Sequence, residues 1–306
     1  MNKTLNKLVV ILGPTATGKT KMAVRLAYKH DGEIVSADSR QVYKGMDIGT
    51  GKDLSDYKYK DKPIPYHLID VVSPKTDFNV AKYQKQAFKA IDDIIKRGKT
   101  PFLVGGTGLY IDAVINNYVF SEVGKSKLVE IRKKLDKQSL SSLLSKLKKI
   151  DPKTYQTIDK QNKRRVQRAI EIYLQTGQTK SDQPKNKRPR YKPLIVGIKF
   201  PLEKIYQKID KRLDNRLHEG MVQEVKTLRK AGVSWKRLDS FGLEYRWISK
   251  YLRGSITELE MVELLKNDIH HFAKRQLTWF KRNKKIIWTD KLSGADGLIK
   301  NFIAKD

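Results

Sequence analysis

Apolar and polar positions in this chain fall into two regimes. Up to about residue 120, short apolar runs alternate with amphipathic stretches. Leu8 to Leu12 is an unbroken apolar run of strand length, the pattern of a strand buried on both faces. Met22, Ala23, Leu26 and Ala27 follow at helical spacing. Gly32 to Ser39 predicts a second strand, ending in Asp38, and His67 to Val71 a short third one. Val80, Tyr83, Ala87, Ile91, Ile94 and Ile95 mark a helix from Asn79 to Arg97, stopped by Gly98. Thr100 to Val104 is again a strand, and Leu109 to Val114 a helix. Strand and helix in alternation predict a parallel sheet flanked by helices.

Beyond residue 120 the pattern turns helical. Leu128, Ile131 and Leu135 share one face, as do Leu140, Leu143, Leu144 and Leu147. Asp151-Pro152 opens a helix as N-cap and first helical residue. Val166, Ala169, Ile170, Tyr173 and Leu174 form a stripe closed by Gly177, with Arg164, Arg165 and Arg168 off it. Pro184 to Pro193 reads as a basic loop. Leu194 to Phe200 returns to strand, so the sheet is re-entered after an insertion. Ile205, Ile209, Leu213 and Leu217 then face inward on a helix whose other side carries Lys208, Lys211, Arg212 and Arg216. Helical pattern continues from Met221, around Trp247 and through 256–283, and Ile286 to Trp288 is a closing strand. The expected organisation is a core of 1–120 and 191–306 with a helical insertion at 121–190.

The first strand opens directly into Gly13-Pro14-Thr15-Ala16-Thr17-Gly18-Lys19-Thr20. In this strand–turn–helix setting the two glycines let backbone N–H groups close on an anion, Lys19 adds charge, and the Thr20 hydroxyl can meet Mg²⁺. The helix dipole points at the same anion. A phosphate-binding loop follows, and with it a P-loop NTPase-like α/β fold. Asp38, at the carboxyl end of the next strand, should face the same crevice as Lys19, against the alternatives of a helix cap or a magnesium-shell carboxylate. Gly49-Thr50-Gly51-Lys52 imitates the motif without a strand before it or a hydroxyl residue after it. Asp70 ends an apolar run as a Walker-B acid would. Gly105-Gly106-Thr107-Gly108 is expected to form a second wall of the site.

Composition narrows the partner. The formal charge is +31, and between 121 and 200 there are 22 basic residues against 7 acidic. Such an excess fits a polyanion, whose counterions are released on binding. The chain has no cysteine, which excludes disulfides and thiolate metal sites, and adjacent His270 and His271 do not suggest a metal site. No apolar run approaches membrane-spanning length. A soluble cytoplasmic protein is expected, without membrane partners.

Four blocks in order, Gly13 to Thr20, Asp38 to Thr50, Val104 to Tyr110 and Ala273 to Phe280, resemble the tRNA dimethylallyltransferases (isopentenyl-tRNA transferases). Arg164 to Glu171 adds to the likeness, which runs from about Lys7 to Trp288. The resemblance implies that the loop (Gly13, Pro14, Thr15, Ala16, Thr17, Gly18, Lys19, Thr20) holds dimethylallyl diphosphate. The prenyl group would pass to N6 of adenosine 37 of a tRNA anticodon stem-loop. It implies Asp38 as the base, Lys19, Thr20 and Arg212 on the diphosphate with Mg²⁺, and Thr107 near the target base. It implies RNA contacts at Asp38, Ser39, Arg40, Gln41, Thr107, Arg164, Arg165, Val166, Gln167, Arg168, Lys274, Arg275, Gln276, Trp279 and Lys281. A monomer is expected. Departures from the family pattern are Gly242 to Tyr245, Ile269 to Phe272, and Gly51 where alanine is frequent. Two other readings share the phosphate loop: prenyl transfer to AMP, ADP or ATP, and an RNA-binding P-loop ATPase or kinase.

Overall fold

A computed structural model describes residues 5–120, 125–182 and 186–305. The chain divides into two compact units, 1–116 with 189–306, and 117–188.

The larger unit begins with β1 (Asn6–Leu12), α1 (Lys19–Lys29) and β2 (Gly32–Ala37). A single 3₁₀ turn at Leu54–Tyr57 leads into a small antiparallel pair, β3 (Lys58–Tyr59) and β4 (Lys62–Pro63), then β5 (Tyr66–His67). Next come α2 (Val80–Lys96), β6 (Thr100–Gly105) and α3 (Gly108–Ile115). The smaller unit holds α4 (Lys125–Asp136), α5 (Leu140–Ile150), α6 (Pro152–Thr157) and α7 (Lys163–Thr176). The chain returns through β7 (Tyr191–Ile198), α8 (Leu202–His218), α9 (Met221–Lys230), α10 (Trp235–Phe241), α11 (Leu243–Leu252) and α12 (Glu258–Phe280). It closes with β8 (Ile287–Thr289) and α13 (Leu292–Ala304).

Six strands form one sheet in the order β5-β2-β6-β1-β7-β8, every pair parallel. Because side chains alternate across a strand, the unbroken apolar run of β1 feeds both faces. Leu8, Val10 and Leu12 pack with Tyr83, Ile91 and Val114 of α2 and α3. Val9 and Ile11 pack on the other face with Val24 and Leu26 of α1 and Ile299 of α13. Each such buried side chain contributes on the order of 2 kcal/mol from area removed from water. A third core joins α8 to α12 around Ile209, Val225, Tyr245 and Leu265. It also takes in Val42, Tyr43 and Met46, so the segment after β2 is anchored on the C-terminal helices. The loop after β1 lies where the chain crosses from β1 to β2 on one side and β7 occupies the other. That is where open α/β sheets bind ligands.

In the smaller unit Leu135, Leu143, Leu147, Val166, Ala169 and Ile170 make a separate core. Asp151 caps α6, accepting from Thr154 N–H at 2.9 Å, and Gly177 ends α7 at a φ of 73°. Residues 184 and 185 of the basic loop lie outside the described residues, and Tyr191 to Pro193 at its far end already belong to β7.

Several expectations are corrected. The third strand stops at His67, since Leu68 and Asp70 take left-handed φ values of 65° and 55°. Asp70 forms a short ion pair with the buried Lys52, which also donates to Tyr43 O at 2.6 Å and Asp47 at 2.7 Å. The Gly49 to Lys52 decoy is thus a loop clasped by its own lysine, and Asp70 does not border the phosphate loop's cavity. Helix α13 has no counterpart in the periodicity. Among the described residues no helix is long and apolar enough to cross a membrane.

Candidate active site

A cavity of about 360 Å³ opens at the carboxyl ends of β1 and β2. Thr15, Gly18, Lys19 and Thr20 line one side, and Ser36, Asp38, Arg40 and Gln41 another. Lys208, Arg212, Arg216, Glu244, Phe272 and Gln276 complete it from the C-terminal helices.

The phosphate loop is built from within and braced from far away. Gly18 sits at φ 76°, which turns the chain into α1 with the helix's first N–H groups free of any side-chain cap. Thr17 Oγ1 donates to Pro14 O at 2.9 Å, closing the turn. Gln276 of α12 bridges two loops: its Oε1 accepts from Thr15 N–H at 2.9 Å, and its Nε2 donates to Gly106 O at 2.8 Å. Gln276 is buried and lines the cavity where these two loops meet.

Charge is concentrated here. Burial is the main force lowering Lys19 from its ordinary 10.5 to about 8; Asp38 opposes the shift and Arg212 adds to it. Arg212 donates to Thr15 Oγ1 at 2.5 Å, and burial, then Arg216, bring it down to about 10. Cations already strained by confinement bind an anion more strongly than solvated ones would.

Asp38 is oriented by its own turn. Its Oδ1 accepts from Arg40 N–H at 2.9 Å and Gln41 N–H at 3.3 Å; Oδ2 has no hydrogen-bond partner among the described residues, and the residue lines the cavity. Thr107 holds the same turn: its Oγ1 accepts from Ser39 N–H at 3.0 Å and can donate to Ser39 Oγ at 3.4 Å. Gln41 spans from Ser36 to the carbonyl of Gly51, 2.9 Å away. Arg40 forms a short ion pair with the buried Glu244 and lies 5.9 Å from the Phe272 ring centroid.

Two acids of the C-terminal helices brace the site. Glu244 fixes Arg40. Glu224 of α9 accepts from Asp47 N–H at 2.8 Å, Ile48 N–H at 2.6 Å and Gly49 N–H at 3.2 Å, and from the buried Tyr245 hydroxyl at 2.7 Å. It therefore staples the 47–49 backbone to α11. Glu244 falls in the Gly242 to Tyr245 departure from the family pattern, which assigns it no role, and Glu224 reads as one more helical acid.

The turn after β6 meets the cavity at Gly105 and also makes room for a neighbouring helix. Gly105 borders the cavity, but a Cβ at Gly106 would fall 2.5 Å from the Gln276 amide, and one at Gly108 2.4 Å from the Trp279 ring. They make room for α12. Trp279 donates to Asp112 at 2.8 Å and packs on the sheet core, while Lys274 and Arg275 of the same helix and Lys281 just beyond it are exposed. In the smaller unit Arg164 and Arg165 are exposed, Arg168 pairs with Glu171 at 3.0 Å, and Val166 and Gln167 are buried. His270 pairs with Asp210 at 2.8 Å and stacks on Tyr206. No group of three metal-ligating His, Cys, Asp or Glu side chains converges among the described residues.

The family model described as IPP transferase matches residues 41–283. The chain belongs to the IPP transferase family. A second model, isopentenyl transferase, matches residues 6–61. The tRNA dimethylallyltransferase 1 of Syntrophus aciditrophicus is 45% identical over 290 residues, covering 94% of each chain. The crystal structure of the full-length tRNA isopentenylpyrophosphate transferase from Bacillus halodurans superposes with a TM-score of 0.71. It is 37% identical and covers 98% of this chain and 96% of its own. A eukaryotic dimethylallyltransferase acting on tRNA has a TM-score of 0.77 at 27% identity, over 97% of this chain and 77% of that one. This IPP transferase therefore shares its fold with both structures and nearly its whole length with the two bacterial relatives.

Proposed function

We propose that this chain moves a dimethylallyl group from dimethylallyl diphosphate to N6 of adenosine 37 in a tRNA anticodon loop. The observation that carries the reading, beyond family membership, is one cavity that joins the Lys19–Arg212 cradle to a free Asp38 oxygen. An anion site and a proton acceptor side by side are what alkylation of an amine with loss of diphosphate requires.

The amine nitrogen attacks C1, the C1–O bond breaks, and its electron pair leaves with the diphosphate. Charge grows on the leaving oxygen, so the loop N–H groups, Lys19 and Arg212 stabilise the transition state more than the ground state. Asp38 takes the N6 proton on Oδ2, while Arg40 and Gln41 N–H groups keep Oδ1 fixed. An exocyclic amine is a poor nucleophile, so the Thr107–Ser39 bond, which aims this turn, contributes through positioning as well. The adenine must leave its stack to reach the cavity.

Magnesium fits the donor set. It retains waters and takes phosphate oxygens, so a single protein oxygen suffices, and the Thr20 hydroxyl on the cavity wall would hold it. When bound it supplies countercharge to the diphosphate. Arg164, Arg165 and Arg168 on α7, and Lys274, Arg275 and Lys281 on or just beyond α12, offer charge to RNA phosphates. Gln276 and Trp279 act from inside, positioning the loops.

Labelled dimethylallyl diphosphate and an anticodon stem-loop test the reading. The wild type should label the adenosine, and Asp38→Asn should lose about 10²- to 10⁴-fold in rate. A near-normal rate in that variant removes Asp38 as the base. A second reading is prenyl transfer to AMP, ADP or ATP, which would use the same loop and Asp38, both within the isopentenyl transferase match over residues 6–61. Labelling of AMP without RNA would establish it.

A further inference from the structure

Helix α8 presents three cations to the cavity at four-residue intervals: Lys208, Arg212 and Arg216. Like charges at this spacing repel and destabilise a helix, so the row calls for an anion. Arg212 is already engaged with Thr15. Lys208 is exposed and rests on the Phe200 ring, 4.1 Å from its centroid. Arg216 differs from both. It is only 7% exposed, borders the cavity, and makes no hydrogen bond among the described residues. Its one charged partner is Asp53, 3.8 Å away and largely in solvent. A buried guanidinium has five donors to satisfy, and leaving them idle is costly.

The space for it is specific. A Cβ at Gly51 would lie 2.0 Å from Arg216 Nη2, and Gly51 itself has a φ of 66°. Gly51 is one of the positions where this chain departs from the family pattern. Its missing side chain is what lets the guanidinium occupy that corner. Gln41, next to the Asp38 turn, holds the Gly51 carbonyl in place.

We propose that Arg216, admitted by Gly51, is a second guanidinium for the diphosphate, one helical turn along α8 from Arg212. The proposal rests on the prenyl-transfer reading only in taking that anion to belong to a prenyl diphosphate. Two guanidiniums flanking one diphosphate would tighten donor binding and also retain the product.

Inorganic diphosphate, titrated calorimetrically into the full chain, tests this directly. Arg216→Met removes the charge at similar bulk and should weaken binding about ten- to hundredfold, the worth of a charge-assisted hydrogen bond. It should raise KM for dimethylallyl diphosphate by a like factor, with a smaller effect on kcat. Arg216→Lys should restore part of the loss. Gly51→Ala should weaken binding by a similar factor. Combined with Arg216→Met it should add little, because both act through one guanidinium. Wild-type diphosphate affinity in folded Arg216→Met overturns the proposal, as do losses that multiply in the double variant. If the wild type binds diphosphate through Arg216 yet transfers no prenyl group, the functional reading fails and the anion site stands.

Discussion

Lys19 should make the ligand-free protein less stable than it would be without the charge. Its ammonium is brought from 10.5 to about 8, by burial first and by Arg212 second, against the pull of Asp38. At 1.36 kcal/mol per pH unit, keeping this proton in the folded state costs about 3 kcal/mol. The sign follows from the direction. Below about pH 8 the residue is charged in both folded and unfolded chains and the whole penalty is present. As pH rises toward 10.5 the folded chain releases its proton first, and the penalty fades. Lys19→Met should therefore raise the melting temperature at neutral pH by several degrees, and the gain should vanish near the upper pH. Binding runs the other way. An anion restores the proton, so wild-type affinity for inorganic diphosphate should fall about tenfold between roughly pH 7 and pH 9. Lys19→Met should bind weakly at every pH. Differential scanning calorimetry and calorimetric titration across that range read both effects. A variant that melts at or below the wild-type temperature at neutral pH, or a wild-type affinity flat across that interval, would refute the reasoning.

Two further substitutions probe the braces around the cavity. Glu224→Gln turns an acceptor toward three backbone N–H groups into an amide that must face at least one of them with its own donor. Stability should drop by about 2 kcal/mol, read by urea unfolding, with transfer slowed as the 47–51 segment loosens. Gln276→Glu removes the donor to Gly106 O and puts a carboxylate under Thr15 N–H. Diphosphate affinity should fall at least tenfold in a titration, while Gln276→Asn should perturb positioning without adding charge.

Most of the sheet and one wall of the site are legible in the sequence because they are local. β1, the phosphate loop and α1 are contiguous, and their pattern needs nothing else in the chain. The Asp38 turn likewise carries its own hydrogen bonds within three residues. Sequence and structure diverge where local pattern and backbone geometry part. Alternation cannot register that Leu68 and Asp70 are left-handed, so an apolar run looks like a strand with a terminal acid. Helix α13 carries Gly294 and Gly297, poor helix formers, and is held by Ala295 and Ile299 packing on the sheet.

The far wall is illegible for a different reason. Gln276 reaches Thr15 across 261 residues, and Glu244 reaches Arg40 across 204. Helical periodicity identifies the buried stripe of α8, Ile205, Ile209 and Leu213, and assigns everything off that stripe to solvent. By that rule Lys208, Arg212 and Arg216 are a solvated face. The rule fails because α8 lies between its own core and the cavity, so a helix can have two inward faces, one apolar and one cationic. The second is visible only when the loop it serves has been placed against it. Arg216 shows the consequence: its burial, its idle donors and the absent side chain of Gly51 have no meaning separately, and together they define one corner of an anion site.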